Sequence, residues 1–396
     1  MNTAQTPHRV VILGAGYAGM ATAIQLAART RRRSDVRVTV VNAQERFTER
    51  LRLHMTATGQ DVAELTIPTL LAETGARFVR GWVTAVDAHA RTVRVDDSQV
   101  LHYDTLVYGL GSVADTAAVP GAQEHAYTLD SPADAAALAD RLARLGAGTV
   151  VVAGSGLTGV EAAAEIAERH PELTVVLVGQ REPGAGMNAK ARAYLRHALT
   201  RLGVQVHTGA AVTRVLPDGV ELADGRTVAA AVVLWTGGTR VSPLAAAAGL
   251  SVDDRGRVVT DATLRSVSHP DVYAVGDAAA VRQGYGVLHG TCQSGMPTGV
   301  HVGVSIARSV RGRQPQPFRF GYYHTPVSLG RHDALVQFTH PDDSPRRLCL
   351  TGRTAVWYKE TVSASPWPTY RRMSRMPASG AFWPRGGRFT RLRDAR

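Results

Sequence analysis

The chain has 396 residues, 44% of them hydrophobic and 20% charged, enough apolar material for two or three domains of roughly 150 residues and too much for a disordered or collagen-like chain. Its two cysteines, Cys292 and Cys349, lie too far apart for a CxxC pair and are too few for a disulfide framework or a thiolate metal cluster, which fits a reduced, cytoplasmic setting. The formal charge of +12 is unevenly placed. Eight arginines from Arg371 onward face a single acid, Asp394, so the last 26 residues hold a net +7 and the rest is nearly balanced.

The first apolar run, Val10 to Ala28, lacks the charged start of a signal peptide and is interrupted by glycines. No uninterrupted apolar stretch reaches the roughly 18 residues of a spanning helix. Arg9-Val-Val-Ile-Leu13 reads as a buried strand, Gly14-Ala15-Gly16-Tyr17-Ala18-Gly19 as a tight turn, and the small residues to Ala28 as a helix. A second strand, Val36 to Val41, ends at Asn42, where the ribose-binding side chain of such a unit belongs. Next come the strand and glycines of Thr105 to Ser112, which include Gly111. The pattern then repeats: strand Thr149 to Ala153, Gly154-Ser155-Gly156-Leu157-Thr158-Gly159, helix Val160 to Arg169, strand Leu173 to Val178. In each copy the first glycine permits the turn, the second lets backbone approach a pyrophosphate, and the helix start offers unpaired N–H groups.

Two more strands end in glycine, Val232 to Gly238, which includes Gly237, and Val272 to Asp277. Asp277 reads either as a ligand for a hydroxylated chain or as a helix N-cap. From Phe320 onward, β-like runs at Ala334 to Thr339 and Leu348 to Val356 suggest a small sheet carrying a helix. Beyond Pro366 the aromatics Trp367, Tyr370, Phe382, Trp383 and Phe389 alternate with arginines. This tail reads either as a solvated basic end or as a contact with an anionic membrane surface.

The order GxGxxG, strand-GLGS, GxGxxGxE, strand-TGG, strand-GD resembles the two-dinucleotide flavoprotein reductases of the pyridine nucleotide-disulfide class. Within that class the chain looks most like the type II NADH dehydrogenases and the apoptosis-inducing-factor-2-like quinone reductases. The run Phe47 to Gly59 is similar to that family's flavin-binding segment, and Ser328 to Asp333 to its last domain. The resemblance implies an α/β fold of two Rossmann-like domains, the second inserted in the first, plus a small α+β C-terminal domain. An FAD domain would cover residues 1–112 and 240–310, an NAD(P)H domain 113–239, the C-terminal domain 311–370, and the basic aromatic tail 371–396. It also implies that Gly14, Ala15, Gly16, Tyr17 and Gly19, with Asn42, Arg52, Val83, Gly111 and Asp277, hold FAD. Gly154, Gly156, Gly159, Arg181 and Gly237 would serve NAD(P)H.

Two positions depart from the family pattern. Asn42 stands where an acid is usual for the FAD ribose. Gly179-Gln180-Arg181 replaces the acid that would bond a 2′-hydroxyl, which lifts repulsion from a 2′-phosphate and admits NADPH beside NADH.

Three side chains are candidates for the chemistry. Glu161 would face the flavin or merely complement its helix dipole. Lys359, one of two lysines in a chain that otherwise uses arginine, would lie near the flavin or on the surface paired with Glu360. Gln293 would touch the acceptor or act as a cap. Cys292 reads as a small buried hydrophobe, and the histidines show no metal spacing. The expected activity is hydride transfer from NAD(P)H through FAD to a quinone or similar small acceptor. A ferredoxin-type reductase and a low-turnover dinucleotide-sensing or nucleic-acid-binding protein are the alternatives.

Overall fold

A computed structural model describes residues 6–391. The run His8–Leu13 is the central strand of a five-stranded parallel sheet, ordered Val272–Ala274, Thr105–Tyr108, His8–Leu13, Val36–Asn42, Arg77–Arg80. Val10, Ile12 and Leu13 are fully buried, as an unbroken apolar strand requires when both faces are covered.

Gly14 leads from this strand into helix Tyr17–Thr30, which lies against helix Cys292–Ser309. Their close approach depends on missing side chains. A Cβ at Gly299 would fall 2.0 Å from the Ala18 carbonyl oxygen, and one at Gly303 2.7 Å from Cβ of Gln25.

The chain leaves this unit through Ser112–Ala114 and returns through Thr239–Val241, two strands paired antiparallel. Between them sits a second parallel sheet, ordered Gln205–Thr208, Leu173–Gly179, Gly148–Ala153, Val232–Trp235. Adjacent exit and return strands are what let one βαβ unit be inserted in another. A three-stranded antiparallel hairpin sheet accompanies each unit, Val83–Asp87 to Gln99–His102 in the first and Val212–Leu216 to Thr227–Ala229 in the second.

The C-terminal part is an antiparallel sheet of His324–Ser328, Ala334–Thr339 and Pro345–Thr351. The β-like reading of Leu348 to Val356 holds only to Thr351. Gly352, at φ +65°, turns the chain into helix Gly352–Ala364, since that left-handed conformation is open to glycine. Lys359 is therefore helical. The sheet is fastened to helix Ala189–Arg201 by Asp333, which accepts from Tyr194 Oη at 2.6 Å and pairs with Arg201 at 2.5 Å.

The aromatic tail is not a solvated end over its described residues. Helix Pro366–Arg375 starts with proline in its first turn and packs on Tyr17–Thr30. Tyr370 and Met373 are wholly buried, and Tyr370 Oη donates to the Tyr17 carbonyl at 2.9 Å. Trp367 and Tyr370 pack around Phe47 with ring centroids 5.6 and 5.9 Å away. Trp383 donates its indole N–H to the Arg319 carbonyl. The remaining residues of the run, 392–396, lie outside the described residues. No helix among the described residues is long and apolar enough to cross a membrane.

Candidate functional site

Each glycine loop has one glycine open to a ligand between two that are closed by the protein itself. In the first loop a Cβ at Gly14 would lie 2.4 Å from the Gly109 carbonyl, and one at Gly19 1.9 Å from the Gly14 carbonyl. In the second, the corresponding contacts are Gly154 to Thr236 Oγ1 at 2.6 Å and Gly159 to the Gly154 carbonyl at 1.9 Å. A Cβ at Gly16 or Gly156 would meet nothing within 4 Å among the described residues. That leaves space through which phosphate oxygens would reach backbone N–H groups at the start of helices Tyr17–Thr30 and Leu157–Arg169. The residues present therefore fit two dinucleotides.

Asn42 braces the loop rather than standing free: its Oδ1 accepts the Ala15 N–H at 2.9 Å and its Nδ2 donates to the Gln44 carbonyl at 2.7 Å. Gly179 has a steric reason. A Cβ there would lie 2.1 Å from Ser155 Oγ, which donates to the Arg181 carbonyl at 2.7 Å. An acid cannot occupy that strand end while Ser155 holds its place, and Arg181 itself is exposed.

Asp277 lies in a single 3₁₀ turn, Gly276–Ala278, and not ahead of a long helix. The N-cap reading therefore fails. Ser112 Oγ donates to Asp277 Oδ2 at 2.7 Å, which joins the Gly111 turn to this carboxylate. A recess beside Asp277 is lined by Arg257, Gly276, His289, Gly290, Ser294 and Thr298. Val83 opens its strand half-buried, and Gly237 packs under the Trp235 ring.

Glu161 and Lys359 form a buried ion pair, with Lys359 Nζ 2.8 Å from Glu161 Oε1 and side chains 5% and 11% exposed. Both plainer readings fall: Lys359 does not reach the surface, and Glu161 is not held by its helix start alone. The same Glu161 Oε1 accepts the Ser328 N–H at 3.0 Å. Burial works to raise the Glu161 pKa, but Lys359, His54 and these hydrogen bonds outweigh it and bring it below the ordinary carboxylate value. Glu360, the expected partner of Lys359, instead bridges Arg52 at 3.3 Å and Arg331 at 3.1 Å. Arg52 thereby joins the Phe47 to Gly59 segment to the C-terminal helix.

Gln293 is the second residue of helix Cys292–Ser309, whose cap is Thr291, so the cap reading of Gln293 is not needed. Its Nε2 donates to the His324 carbonyl at 2.9 Å, which leaves Oε1 buried without a partner among the described residues. Arg52 Nε and His54 Nε2 are also buried and unpartnered among the described residues. Unmet polar atoms of this kind suit a group bound from outside. Cys292 is only half-buried, yet desolvation of its thiol pushes it up to about 11, away from the thiolate of a nucleophile.

Sequence reasoning missed His54, Glu165 and His324. His54 is enclosed beside Glu161 and Lys359, and burial drives its pKa down to about 4. Glu165 accepts from Gln60 Nε2, and burial raises it to about 6. Its place was readable, because positions 161 and 165 fall on one face of a helix. His324 sits on a strand, and only the fold brings it to Gln293.

A family model described as pyridine nucleotide-disulphide oxidoreductase matches residues 8–303, both parallel sheets included. The chain belongs to that family. This oxidoreductase chain is 30% identical over 378 residues to an NADH dehydrogenase-like protein of Mycobacterium tuberculosis, covering 90% of this chain and 93% of that one. It is 27% identical to a type II NADH:quinone oxidoreductase of Staphylococcus aureus, over 91% and 95% of the two chains. Among solved structures, NDH2 of Plasmodium falciparum with NADH has the same fold, with a TM-score of 0.78 at 14% identity over 97% of this chain and 100% of that one.

Proposed function

We propose that the protein is an FAD-dependent oxidoreductase that takes hydride from NAD(P)H and reduces a quinone. The observation that carries this reading is the pair of open glycines, Gly16 and Gly156, one on each parallel sheet, with the buried Glu161–Lys359 ion pair tying the second unit to the C-terminal helix. Relatives named for NADH dehydrogenation and quinone reduction support it. In this reading residues 1–112 and 240–310 hold FAD, 113–239 hold NAD(P)H, and the part after 311 closes the acceptor side.

Bound FAD would supply a two-electron carrier between nicotinamide and acceptor. Gly14 to Gly19 and Asp277 would hold it, with Arg52 and the Val83 backbone beside it. Glu161 would present a carboxylate, kept charged by Lys359, to the bound flavin, and Lys359 would offer a buried cation to balance charge during reduction. Over a full cycle, NAD(P)H, one proton and the quinone give NAD(P)+ and the quinol. Gln293 would meet the acceptor. Arg181, beside a strand end closed to acids, favours a 2′-phosphate, so NADPH is accepted at least as well as NADH.

The protein would act at the inner membrane face as a peripheral protein, where a lipid-soluble quinone is reached. The exposed Arg371, Arg372 and Arg375 and the 90% exposed Phe382 would contact anionic lipid. Liposome flotation of a Phe382→Ser, Arg371→Gln, Arg372→Gln variant tests this without stripping Tyr370 from the core, as truncation would. Equal flotation of parent and variant sinks the idea. Spectroscopy of the purified protein tests the activity: an oxidised-flavin absorbance that NADH or NADPH bleaches and a short-chain quinone restores is the expected result. A protein purified without flavin contradicts the reading.

A further inference from the structure

Gln293 is fixed by a residue outside its own helix, and that residue has a second function open to it. His324 lies in the strand His324–Ser328 and is 4% exposed. Its backbone carbonyl takes the Gln293 amide, while its ring Nδ1 lies 2.7 Å from Tyr358 Oη. Burial, reinforced by nearby Lys359, lowers the imidazole to about 4, so it is neutral at ordinary pH. With the phenol donating to Nδ1, the imidazole proton sits on Nε2. That nitrogen has no partner among the described residues, yet it is not enclosed.

The ring is also bordered by aromatic surface. Tyr323 leans on it with centroids 4.1 Å apart, and Tyr358 meets it edge-on. Tyr323 is 38% exposed, so an accessible aromatic face lies next to a single oriented N–H donor. A flat ring bearing a carbonyl has the chemistry to use both features, by stacking and by accepting one hydrogen bond.

We propose that His324 binds a carbonyl oxygen of the quinone acceptor through Nε2–H, with Tyr358 as the positioning residue that fixes its tautomer. The assignment rests on the quinone reading above and adds the group that recognises the ring. Lys359 faces the same ring from the C-terminal helix, and Tyr358 and Tyr323 are the other titratable neighbours. None of them takes a proton from a neutral imidazole at ordinary pH, so the pair acts as a fixed donor rather than a switch.

The test uses flavin-loaded protein and menadione. Binding is read without nucleotide from quenching of tryptophan fluorescence, and turnover is read with NADH or NADPH. His324→Asn keeps a partner for Tyr358 but removes the Nε2 group, whereas His324→Gln restores a donor near that position. Loss of one ligand hydrogen bond predicts about a 5- to 10-fold rise in menadione Kd and KM for His324→Asn. His324→Gln recovers most of it, and Tyr358→Phe falls between. Bleaching by nucleotide and turnover with ferricyanide, which offers no carbonyl, stay within twofold of the parent. A parent that reduces menadione, with His324→Asn indistinguishable from it or equally impaired with ferricyanide, overturns the assignment alone. A parent that is bleached by nucleotide yet neither binds nor reduces menadione overturns the quinone reading and the assignment together.

Discussion

The two glycine loops are built alike and finished differently. In both, the third glycine lies so close to the first that a Cβ would stand 1.9 Å from its carbonyl oxygen, and in both the middle glycine is open. The next strand ends at Asn42 in one unit and at Gly179 in the other. The helices differ too. Tyr17–Thr30 buries small and apolar residues against Cys292–Ser309, while Leu157–Arg169 buries two carboxylates, Glu161 and Glu165. Backbone shape is thus shared, whereas recognition and charge are set by a few side chains around it.

The sharpest way to break this comparison is to put a methyl group on each glycine. Gly19→Ala and Gly159→Ala force overlap with backbone, and a loss of more than about 3 kcal/mol is expected, read by urea unfolding or as failure to purify folded protein. Gly16→Ala and Gly156→Ala have room, so melting should hardly move. Gly16→Ala should then lose flavin on gel filtration, and Gly156→Ala should keep flavin but need about tenfold more nucleotide to bleach it. Equal flavin loss in the two would contradict the division of roles.

Next in size is the buried charge on the second helix. Lys359→Met leaves Glu161 enclosed without its partner, which costs roughly 3 to 5 kcal/mol when a buried pair is broken. The double variant with Glu161→Gln should regain much of that stability but not the rate of flavin reduction. A double variant no more stable than Lys359→Met would show that the pair is not coupled.

Acid acts on the buried histidines. His54, His301 and His324 each have a pKa lowered from 6.5 to about 4 by burial. The unfolded chain takes up these protons first, so stability is present above about pH 6.5 and is lost as pH falls towards 4. For fully enclosed His54 this is on the order of 3 kcal/mol. Glu165, raised from 4.5 to about 6, acts in the opposite sense over a narrower range. Urea midpoints between pH 7 and 4 should therefore fall, and His54→Gln should flatten the slope. An unchanged slope would remove His54 from the account.

Smaller effects are expected at the strand ends. Gly179→Asp alone should weaken both nucleotides, because its Cβ meets Ser155 Oγ. With Ser155→Gly added, NADH should be favoured over NADPH by about tenfold in KM. Asn42→Asp keeps the acceptor for the Ala15 N–H and loses only the donor to Gln44, so flavin retention should change by no more than a few-fold.

Much of the fold was legible because glycine spacing and strand periodicity are local. Gly14 to Gly19 and Gly154 to Gly159 named both parallel sheets before any contact was known. The end of the strand at Gly352 was missed because Leu348 to Val356 reads apolar throughout, and one left-handed glycine decides where the helix starts. The tail misled for a related reason: Trp367 and Tyr370 beside arginines look like a surface motif until Phe47 and Tyr17 are found beneath them. Lys359 could be singled out by composition, but its partner could not, since Glu161 lies 198 positions away and Glu360 is adjacent. His324 and Gln293 meet only through tertiary packing.

In the proposed reaction electrons pass from nucleotide at the second loop to flavin at the first and then to a quinone. Anaerobic stopped-flow absorbance of the flavin-loaded protein tests it most directly, mixing first with NADPH or NADH and then with menadione. Bleaching of the flavin band by nucleotide, slowed in Gly156→Ala, followed by recovery with menadione, is the predicted result. A flavin band that nucleotide leaves unchanged, or that menadione fails to restore after bleaching, would contradict it.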